Sequence, residues 1–211
     1  MNTRKRNREE YGSEYTEEDK AFSRLPAMLA EVGVSVSKVQ LAQFRIHYDL
    51  LLFWNQKTNL TAIRKPEEIL RRHLVESAYL TKVVNFGPGT LVDVGSGAGF
   101  PGIPVKVLCP QTKVILVESV QKKAAFLKEV ARAIGTSELE VAAARVEDLA
   151  LQAQWITMRA VKLTAEVLQI LRDMIVPRGT LALFTEDAPS TIDFDWHTVK
   201  LPVQLGRTIL I

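Results

Sequence analysis

The chain is poor in the residues that build disulfides and metal centres. Its 211 residues include one cysteine, Cys109, and three histidines, His47, His73 and His197. A single cysteine excludes an internal disulfide and a cysteine-built zinc site, and the histidine spacing matches no helical metal motif. We therefore expect no metal ion in this protein.

Long apolar runs are also missing. No stretch approaches the roughly 20 apolar residues of a membrane span, and the first residues lack the apolar segment of a secretory signal. The chain has 27 Lys+Arg against 24 Asp+Glu, a formal net charge of +3, which tolerates an acidic partner without identifying one. These absences predict a soluble cytoplasmic protein of one full domain and at most a small appendage, without a membrane partner.

Composition divides the chain into three parts. Residues 1–20 hold eleven charged residues and too few apolar ones to offset the entropy of ordering, so we expect a flexible tail. Residues 21–86 follow a helical apolar period and form an N-terminal helical part that ends at Gly87-Pro88-Gly89. Residues 87–211 form the main domain. The helices predicted in the middle part lie near residues 22–32, 37–54 and 66–84.

In the main domain, short apolar runs alternate with helical segments. The predicted strands are Thr90–Val94, Lys113–Glu118, Leu139–Ala144, Trp155–Met158, Thr180–Thr185, Thr198–Gln204 and Arg207–Ile211, and the predicted helices are Gln121–Ile134 and Thr164–Val176. Alternation of this kind is typical of a parallel sheet covered on both faces. We predict an α/β fold with a doubly wound, mostly parallel sheet, antiparallel C-terminal strands and an N-terminal helical cap.

The segment Asp93-Val94-Gly95-Ser96-Gly97-Ala98-Gly99-Phe100-Pro101-Gly102-Ile103-Pro104 follows the first of these strands and precedes a helical turn. Gly95, Gly97 and Gly99 remove Cβ atoms where a ligand must approach the backbone closely. The carboxyl end of the first strand of an open sheet borders the ligand crevice. These glycines are therefore candidate binding residues.

Two ligand classes fit the loop. A dinucleotide needs N–H donors aimed at its pyrophosphate, but Pro101 and Pro104 have no N–H. S-adenosylmethionine has no phosphate, and Asp93 can attract its positively charged methionine end. Glu118 ends the next strand, where a carboxylate accepts hydrogen bonds from both ribose hydroxyls. We favour S-adenosylmethionine, with an NAD-dependent oxidoreductase as the weakest alternative.

The sequence lacks two features that methyltransferases use on amines and on pyrimidine carbons, and their absence narrows the expected methylation reaction. After the fourth strand, Thr157-Met158-Arg159-Ala160 replaces the Asn/Asp-Pro-Pro-aromatic turn common in amine methylation. Cys109 ends an apolar helical turn, where an inert buried thiol is expected rather than a nucleophile. The N7 atom of guanine carries a free lone pair, so its methylation needs alignment and water exclusion. We therefore predict no dedicated catalytic acid, base or nucleophile.

The loop, together with Glu118-Ser119-x-x-Lys122-Lys123, resembles the RsmG (GidB) methyltransferases. The motifs that extend the resemblance are Trp54-Asn55, Asn59-Leu60-Thr61, Arg72-His73, Glu76-Ser77, Arg145-Val146-Glu147 and Arg159-Ala160. The resemblance implies a class I, Rossmann-like methyltransferase that acts on the small ribosomal subunit. We expect a monomer, although the sequence itself does not show whether the protein dimerises. It implies methylation of guanine N7 at position 527 of 16S rRNA, with cofactor contacts at Gly95, Phe100, Val146, Glu147 and Arg159.

The sequence supports more than one role for some residues and more than one class of protein. Arg159 contacts the cofactor or RNA, or forms a structural salt bridge, and we expect Trp54 to pack the helical part onto the main domain. RNA phosphates are expected to meet a basic rim, whose candidates are Arg64, Lys65, Arg71, Arg72, Lys122 and Lys123. The alternatives to an rRNA methyltransferase are a small-molecule or protein methyltransferase and a non-enzymatic RNA-binding module.

Overall fold

A computed structural model describes residues 16–160, 164–185, 198–200 and 208–210. Most of the predicted tail (residues 1–15) and parts of the two predicted C-terminal strands (201–204, 207 and 211) lie outside the described residues. In the described part of the chain, no helix has the length and apolar character needed to cross a membrane.

The helices precede the sheet and then alternate with its strands. The helices are α1 Glu17–Ser23, α2 Leu25–Glu31, α3 Lys38–Asn55, α4 Pro66–Ile69, α5 Glu76–Val83, α6 Gly102–Leu108, α7 Gln121–Ile134 and α8 Ala165–Met174, with a π-helical segment Leu70–Val75 and a 3₁₀ turn Val146–Asp148. The strands are β1 Gly89–Val94, β2 Thr112–Val117, β3 Leu139–Ala142, β4 Ala153–Arg159, β5 Ile175–Thr185, β6 Thr198–Lys200 and β7 Thr208–Leu210.

The described strands form one sheet in the order β3-β2-β1-β4-β5-β7-β6. Strands β1 to β5 pair in parallel, whereas β7 is antiparallel to both β5 and β6. The predicted doubly wound sheet and its antiparallel edge are therefore confirmed. Because β2 and β4 flank β1, the chain reverses its direction across the sheet beside β1, which is where open α/β sheets bind ligands.

Alternation along the central strands separates the core into two layers. Leu91 belongs to a large hydrophobic cluster that includes residues of the cap helices and also of α6 and α7. Val92 and Val94 belong to a smaller hydrophobic cluster under α8. Successive side chains of a strand point to opposite faces, so the two clusters cover the two faces of the sheet. The helical cap adds to the layer that also holds the glycine-rich loop.

The N-terminal part begins earlier than predicted. Thr16 caps α1, since its side-chain oxygen accepts a hydrogen bond from the N–H of Asp19 at 3.1 Å. Asp19 also pairs with Arg45 on α3 at 2.7 Å. Residues 17–20, which their charge assigns to the tail, are therefore helical. The cap follows from the spacing of Thr16 and Asp19, whereas the ion pair to Arg45 joins distant residues and is not visible in local composition.

At the other end of the main domain, the helix predicted over Thr164–Val176 stops at Met174. Ile175 instead opens β5 and pairs with Ala153 of β4. Sheet pairing overrides the helical apolar period at this point. By contrast, α7 has the predicted bounds and ends at Gly135, whose φ of +62° is left-handed.

Candidate cofactor site

The bend Gly95–Gly99 leaves β1 at the carboxyl edge of the sheet and is attached to β2. The N–H groups of Gly95 and Ser96 both donate to the carbonyl of Val117, at 2.9 and 3.0 Å. Gly95 and Gly97 have φ values of +70° and +54°, which residues with a Cβ rarely adopt. A Cβ on Gly97 would meet only the Gly95 carbonyl oxygen, at 3.8 Å, among the described atoms within 4 Å. The bend therefore presents bare backbone to open space.

Gly99 and Gly102 serve packing instead. A Cβ on Gly99 would lie 2.3 Å from Cδ1 of Ile103, and one on Gly102 would lie 2.4 Å from Cδ2 of Leu116. Both distances are far below contact, so Gly102 lets α6 approach the sheet and Gly99 lets the loop pack against Ile103 of α6. Gly99 thus has a packing role, and its φ of +85° also favours glycine; the predicted ligand contact at Gly99 stays a prediction.

Asp93 is an internal anchor. It is fully buried, its Oδ1 accepts a hydrogen bond from the Thr157 hydroxyl at 2.7 Å, and its Oδ2 accepts one from the N–H of Gly102 at 3.2 Å. Burial raises the pKa of this carboxyl to about 6, although its hydrogen bonds oppose the rise. The carboxylate is turned inward and joins β1, β4 and α6, and the cofactor contact at Asp93 stays a prediction.

Glu118 lies beside the bend, as its position one βα unit further on predicts. Its Oε2 accepts a hydrogen bond from the N–H of Gly97 at 2.9 Å, and its Oε1 accepts one from Val120 at 2.8 Å. Each carboxylate oxygen has two lone pairs, so both oxygens keep acceptor capacity for a pair of hydroxyl groups. The bare backbone of the bend and a carboxylate with spare acceptor capacity therefore lie next to each other.

Phe100 stacks on two imidazoles. Its ring centroid lies 4.7 Å from that of His47 and 5.0 Å from that of His73, with interplanar angles of 30° and 17°. His47 also bonds the carbonyl of Ala98 through Nε2 at 2.8 Å. The sequence pattern predicts neither stacking contact: it excludes both histidines from a metal site and otherwise gives only His73 a place, in the Arg72-His73 motif. The signal for His47 is its helical spacing from Phe44 and other buried residues of α3, which places it on the inner face.

Arg159, at the end of β4, is directed toward the cap. Its Nη2 forms a salt bridge with Oε2 of Glu76 at 2.8 Å and also bonds the carbonyl of Arg72. Its Nη1 donates to the Ser77 hydroxyl at 3.4 Å, and its guanidinium carbon lies 5.5 Å from the ring centroid of Phe184. This geometry matches the structural salt bridge, and the cofactor contact at Arg159 stays a prediction.

The loop after α3 is organised by Asn55. Its Oδ1 accepts hydrogen bonds from the N–H groups of Leu60 and Thr61, at 3.0 and 3.1 Å, and its Nδ2 donates to the Thr61 carbonyl at 3.1 Å. The Thr61 hydroxyl then bonds Nε2 of His73 at 2.7 Å. The Asn55 and Asn59–Thr61 motifs are therefore connected to the ring that stacks on Phe100.

Trp54 joins the cap to the main domain. Its indole N–H donates to Oε2 of Glu129 on α7 at 2.9 Å. Its ring meets that of Phe126 edge-on, with centroids 5.9 Å apart. The predicted packing role of Trp54 is confirmed.

Val146 and Glu147 begin the 3₁₀ turn after β3. The end of β3, which precedes this turn, neighbours Glu118, whose N–H donates to the Ala142 carbonyl at 3.0 Å. Val146 is buried, whereas Glu147 is exposed and pairs with Arg145 at 3.3 Å. The predicted cofactor contacts of Val146 and Glu147 stay predictions.

The predicted basic rim divides into two groups. Arg64 bonds the Asn55 carbonyl at 2.9 Å, Lys65 pairs with Glu68 at 3.5 Å, and Arg71 pairs with Glu31 and Glu67 at 3.4 Å each. Three of the six cations thus have local acceptors. The other three, Arg72 in the π-helical segment and Lys122 and Lys123 at the start of α7, have no ion pair among the described residues.

Solved structures share this architecture. A mutant of MtNAS in complex with S-adenosylmethionine has a TM-score of 0.52 and 15% identity, covering 94% of this chain and 98% of that chain. MtNAS in complex with MTA and tNA has a TM-score of 0.53 and 15% identity, covering 93% and 76%. The fold is that of the class I, Rossmann-like methyltransferases that use S-adenosylmethionine.

Sequence similarity is more specific. The model of the GidB family, described as rRNA small subunit methyltransferase G, matches residues 40–190. The protein named ribosomal RNA small subunit methyltransferase G from Chloroflexus aggregans is 39% identical over 160 residues, 70% of this chain and 67% of the relative. The protein of that name from Xylella fastidiosa is 39% identical over 189 residues, 84% and 88%. This chain belongs to the rRNA small subunit methyltransferase G family.

The extent of the match differs among relatives. The protein of the same name from Dehalococcoides mccartyi strain BAV1 is 42% identical over 122 residues, which are 58% of this chain and 52% of the relative. The chain thus spans about half of some curated relatives and most of others.

Proposed function

We propose that this chain transfers the methyl group of S-adenosylmethionine to N7 of a guanine in 16S rRNA, at the position numbered 527. The observation that carries the proposal is the hydrogen bond from Gly97 to Glu118. It unites a backbone surface without side chains and a carboxylate with spare lone pairs, at the edge where such sheets bind nucleosides.

The residues present fit this cofactor. The missing Cβ of Gly97 leaves room against the bend, and Glu118 would hold the ribose hydroxyls. Gly95 and Phe100 would border the remainder of the cofactor, while Val146 and Glu147 would meet its adenine. S-adenosylmethionine supplies an electrophilic methyl group on sulfur when it is bound.

The protein's own contribution is positioning. Guanine N7 needs no deprotonation, so no side chain has to accept a proton before attack. Holding two reactants in alignment supplies roughly 7–11 kcal/mol toward the barrier. We therefore propose that no residue of this chain acts as an acid, base or nucleophile, and that no metal ion takes part.

The partner we propose is the RNA of the small ribosomal subunit, reached in the cytoplasm by a monomer. The exposed start of α7 supports an RNA-facing rim, because Lys122 and Lys123 lie four and five residues beyond Glu118. The binding constant for RNA falls as salt rises, and removing one phosphate contact reduces the magnitude of the slope of log K against log[salt] by about 0.7–0.9. We expect Lys122→Ala with Lys123→Ala to flatten the slope, whereas Lys128→Ala, on another face of the same helix, leaves it unchanged. An unchanged slope in the double variant would remove these lysines from the rim.

Label transfer tests the substrate. The chain would be incubated with S-adenosylmethionine tritiated in the methyl group and with free 16S rRNA, intact 30S particles, bulk protein or a metabolite extract. We expect label in rRNA, at a single guanine that becomes sensitive to cleavage at N7-methylated sites. Label in protein or metabolites instead of RNA would favour the alternative methyltransferase classes and reject this proposal.

A further inference from the structure

His47 is a buried polar residue that the proposed chemistry does not use. It lies on α3 in the cap, is fully buried, and reaches the glycine-rich loop 51 residues away in sequence. A carbonyl oxygen only accepts, so Nε2 of His47 carries the proton and donates it to Ala98. The same ring stacks on Phe100, two residues further along the loop.

We propose that His47 is a positioning residue for the methyl donor: its bond to Ala98 and its stacking on Phe100 fix the glycine bend before S-adenosylmethionine binds. The inference rests on the proposed function. A loop that is already ordered does not lose further conformational entropy when the ligand arrives, and this strengthens binding.

The environment of His47 argues against a purely structural role. Its Nδ1 is buried and has no hydrogen-bond partner among the described residues, and a buried polar atom without a partner is destabilising. An apolar residue at this position would avoid that penalty. What an apolar residue lacks is the donor to Ala98, which is the group that acts on the loop.

His47 is also unsuited to moving protons during the reaction. Burial lowers the pKa of its imidazole to about 4, so the ring stays neutral at physiological pH. Its effect on activity is therefore expected to be independent of pH between about 7 and 9.

Two variants separate the two contacts. His47→Phe keeps a ring against Phe100 and removes the donor, whereas His47→Gln keeps an N–H donor at a similar distance from the backbone and removes the ring. Leu51→Ala is the matched control, because Leu51 is fully buried on the same helix and is no part of the stack. All are measured in the full chain, by calorimetric titration with S-adenosylmethionine.

We expect each His47 variant to weaken binding of S-adenosylmethionine by about 3–10-fold, as loss of one hydrogen bond or ring contact implies. The KM for S-adenosylmethionine should rise while the KM for 30S particles stays unchanged. Leu51→Ala should lower Tm and leave binding within about twofold. Equal binding by wild type and His47 variants, or an equal loss in Leu51→Ala, would overturn the inference.

Amide hydrogen exchange, measured without cofactor, tests whether His47 orders the glycine-rich loop independently of S-adenosylmethionine binding. Residues 93–105 should exchange faster in both His47 variants than in wild type, and no faster in Leu51→Ala. Unchanged exchange of this segment would overturn the positioning role even if the variants bind weakly. If wild type fails to bind S-adenosylmethionine, the proposed function fails, and the exchange comparison still decides whether His47 orders the loop. An activity ratio of wild type to His47→Gln that changes between about pH 7 and 9 would also contradict it.

Discussion

The ion pair between Glu76 and Arg159 allows a quantitative prediction about how the cap is held on the sheet. The Arg159 and Glu76 side chains are 6% and 0% exposed, and Nη2 and Oε2 lie 2.8 Å apart. Removing one partner of a buried pair leaves the other charge without compensation, which costs about 3–5 kcal/mol. For a chain of this length that corresponds to a fall in Tm of roughly 6–20 °C.

The perturbation is Glu76→Gln, which keeps the shape of the side chain and removes its charge. The free energy of unfolding would be measured by urea denaturation of the full chain. Glu68→Gln is the control, because the Lys65–Glu68 pair has side chains 80% and 48% exposed, and exposed pairs contribute at most about 1 kcal/mol.

A double-mutant cycle completes the test. Arg159→Met alone should also destabilise, but the double variant should lose about 1–3 kcal/mol less than the sum of the single losses. If Glu76→Gln destabilises no more than Glu68→Gln, the pair does not hold the cap. If the single losses simply add, Arg159 acts elsewhere, and the predicted cofactor contact regains support.

Two further predictions concern buried groups near the bend. The pKa of Asp93 is about 6 in the folded chain against 3.8 for a free carboxyl, so its contribution to stability is lost as pH rises from about 4 to 6. The pKa of the His47 imidazole is about 4 in the folded chain against 6.5, so its contribution to stability grows as pH rises from about 4 to 6.5. Each group contributes on the order of 3 kcal/mol to the free energy of unfolding. In urea denaturation at several pH values, we expect the stability of Asp93→Asn to rise more steeply with pH than that of wild type. The stability of His47→Gln should fall as pH rises over the same range. Parallel pH profiles of both variants and wild type would contradict the assignment. Separately, Gly102→Ala forces a Cβ to 2.8 Å from Oδ2 of Asp93, so we expect thermal denaturation to show a loss of about 1–3 kcal/mol. Gly87→Ala, which meets nothing within 4 Å, should change stability by less than about 0.5 kcal/mol, and equal effects of both would refute the packing argument.

Local patterns predicted the elements that depend on local physics. The helix Gln121–Ile134 follows from its apolar period and from Gly135, and the parallel sheet follows from the alternation of strands and helices. The same logic placed Glu118 beside the glycine bend, because carboxyl ends of adjacent parallel strands share one edge. Each of these inferences uses neighbours in the chain or a general rule of topology.

The remaining features depend on contacts between distant segments. A strand-end carboxylate such as Asp93 looks available to a ligand, but Thr157 and Gly102 hydrogen-bond to it from two other elements. A Cβ on Gly99 would also lie 3.2 Å from Cδ2 of Leu127 on α7, a contact that the glycine spacing alone does not show. The bond of His47 to Ala98 is not predictable from the sequence, because a histidine on an apolar helix face gives no sign of a carbonyl 51 residues away.

Calorimetric titration of the full chain with S-adenosylmethionine and, separately, with NAD tests most directly whether the bend and Glu118 hold an adenosyl sulfonium. We predict saturable binding of S-adenosylmethionine, no binding of NAD at the same concentrations, and a loss of at least about tenfold in affinity for Glu118→Ala. Binding of S-adenosylmethionine that is unchanged in Glu118→Ala, or preferential binding of NAD, would contradict it.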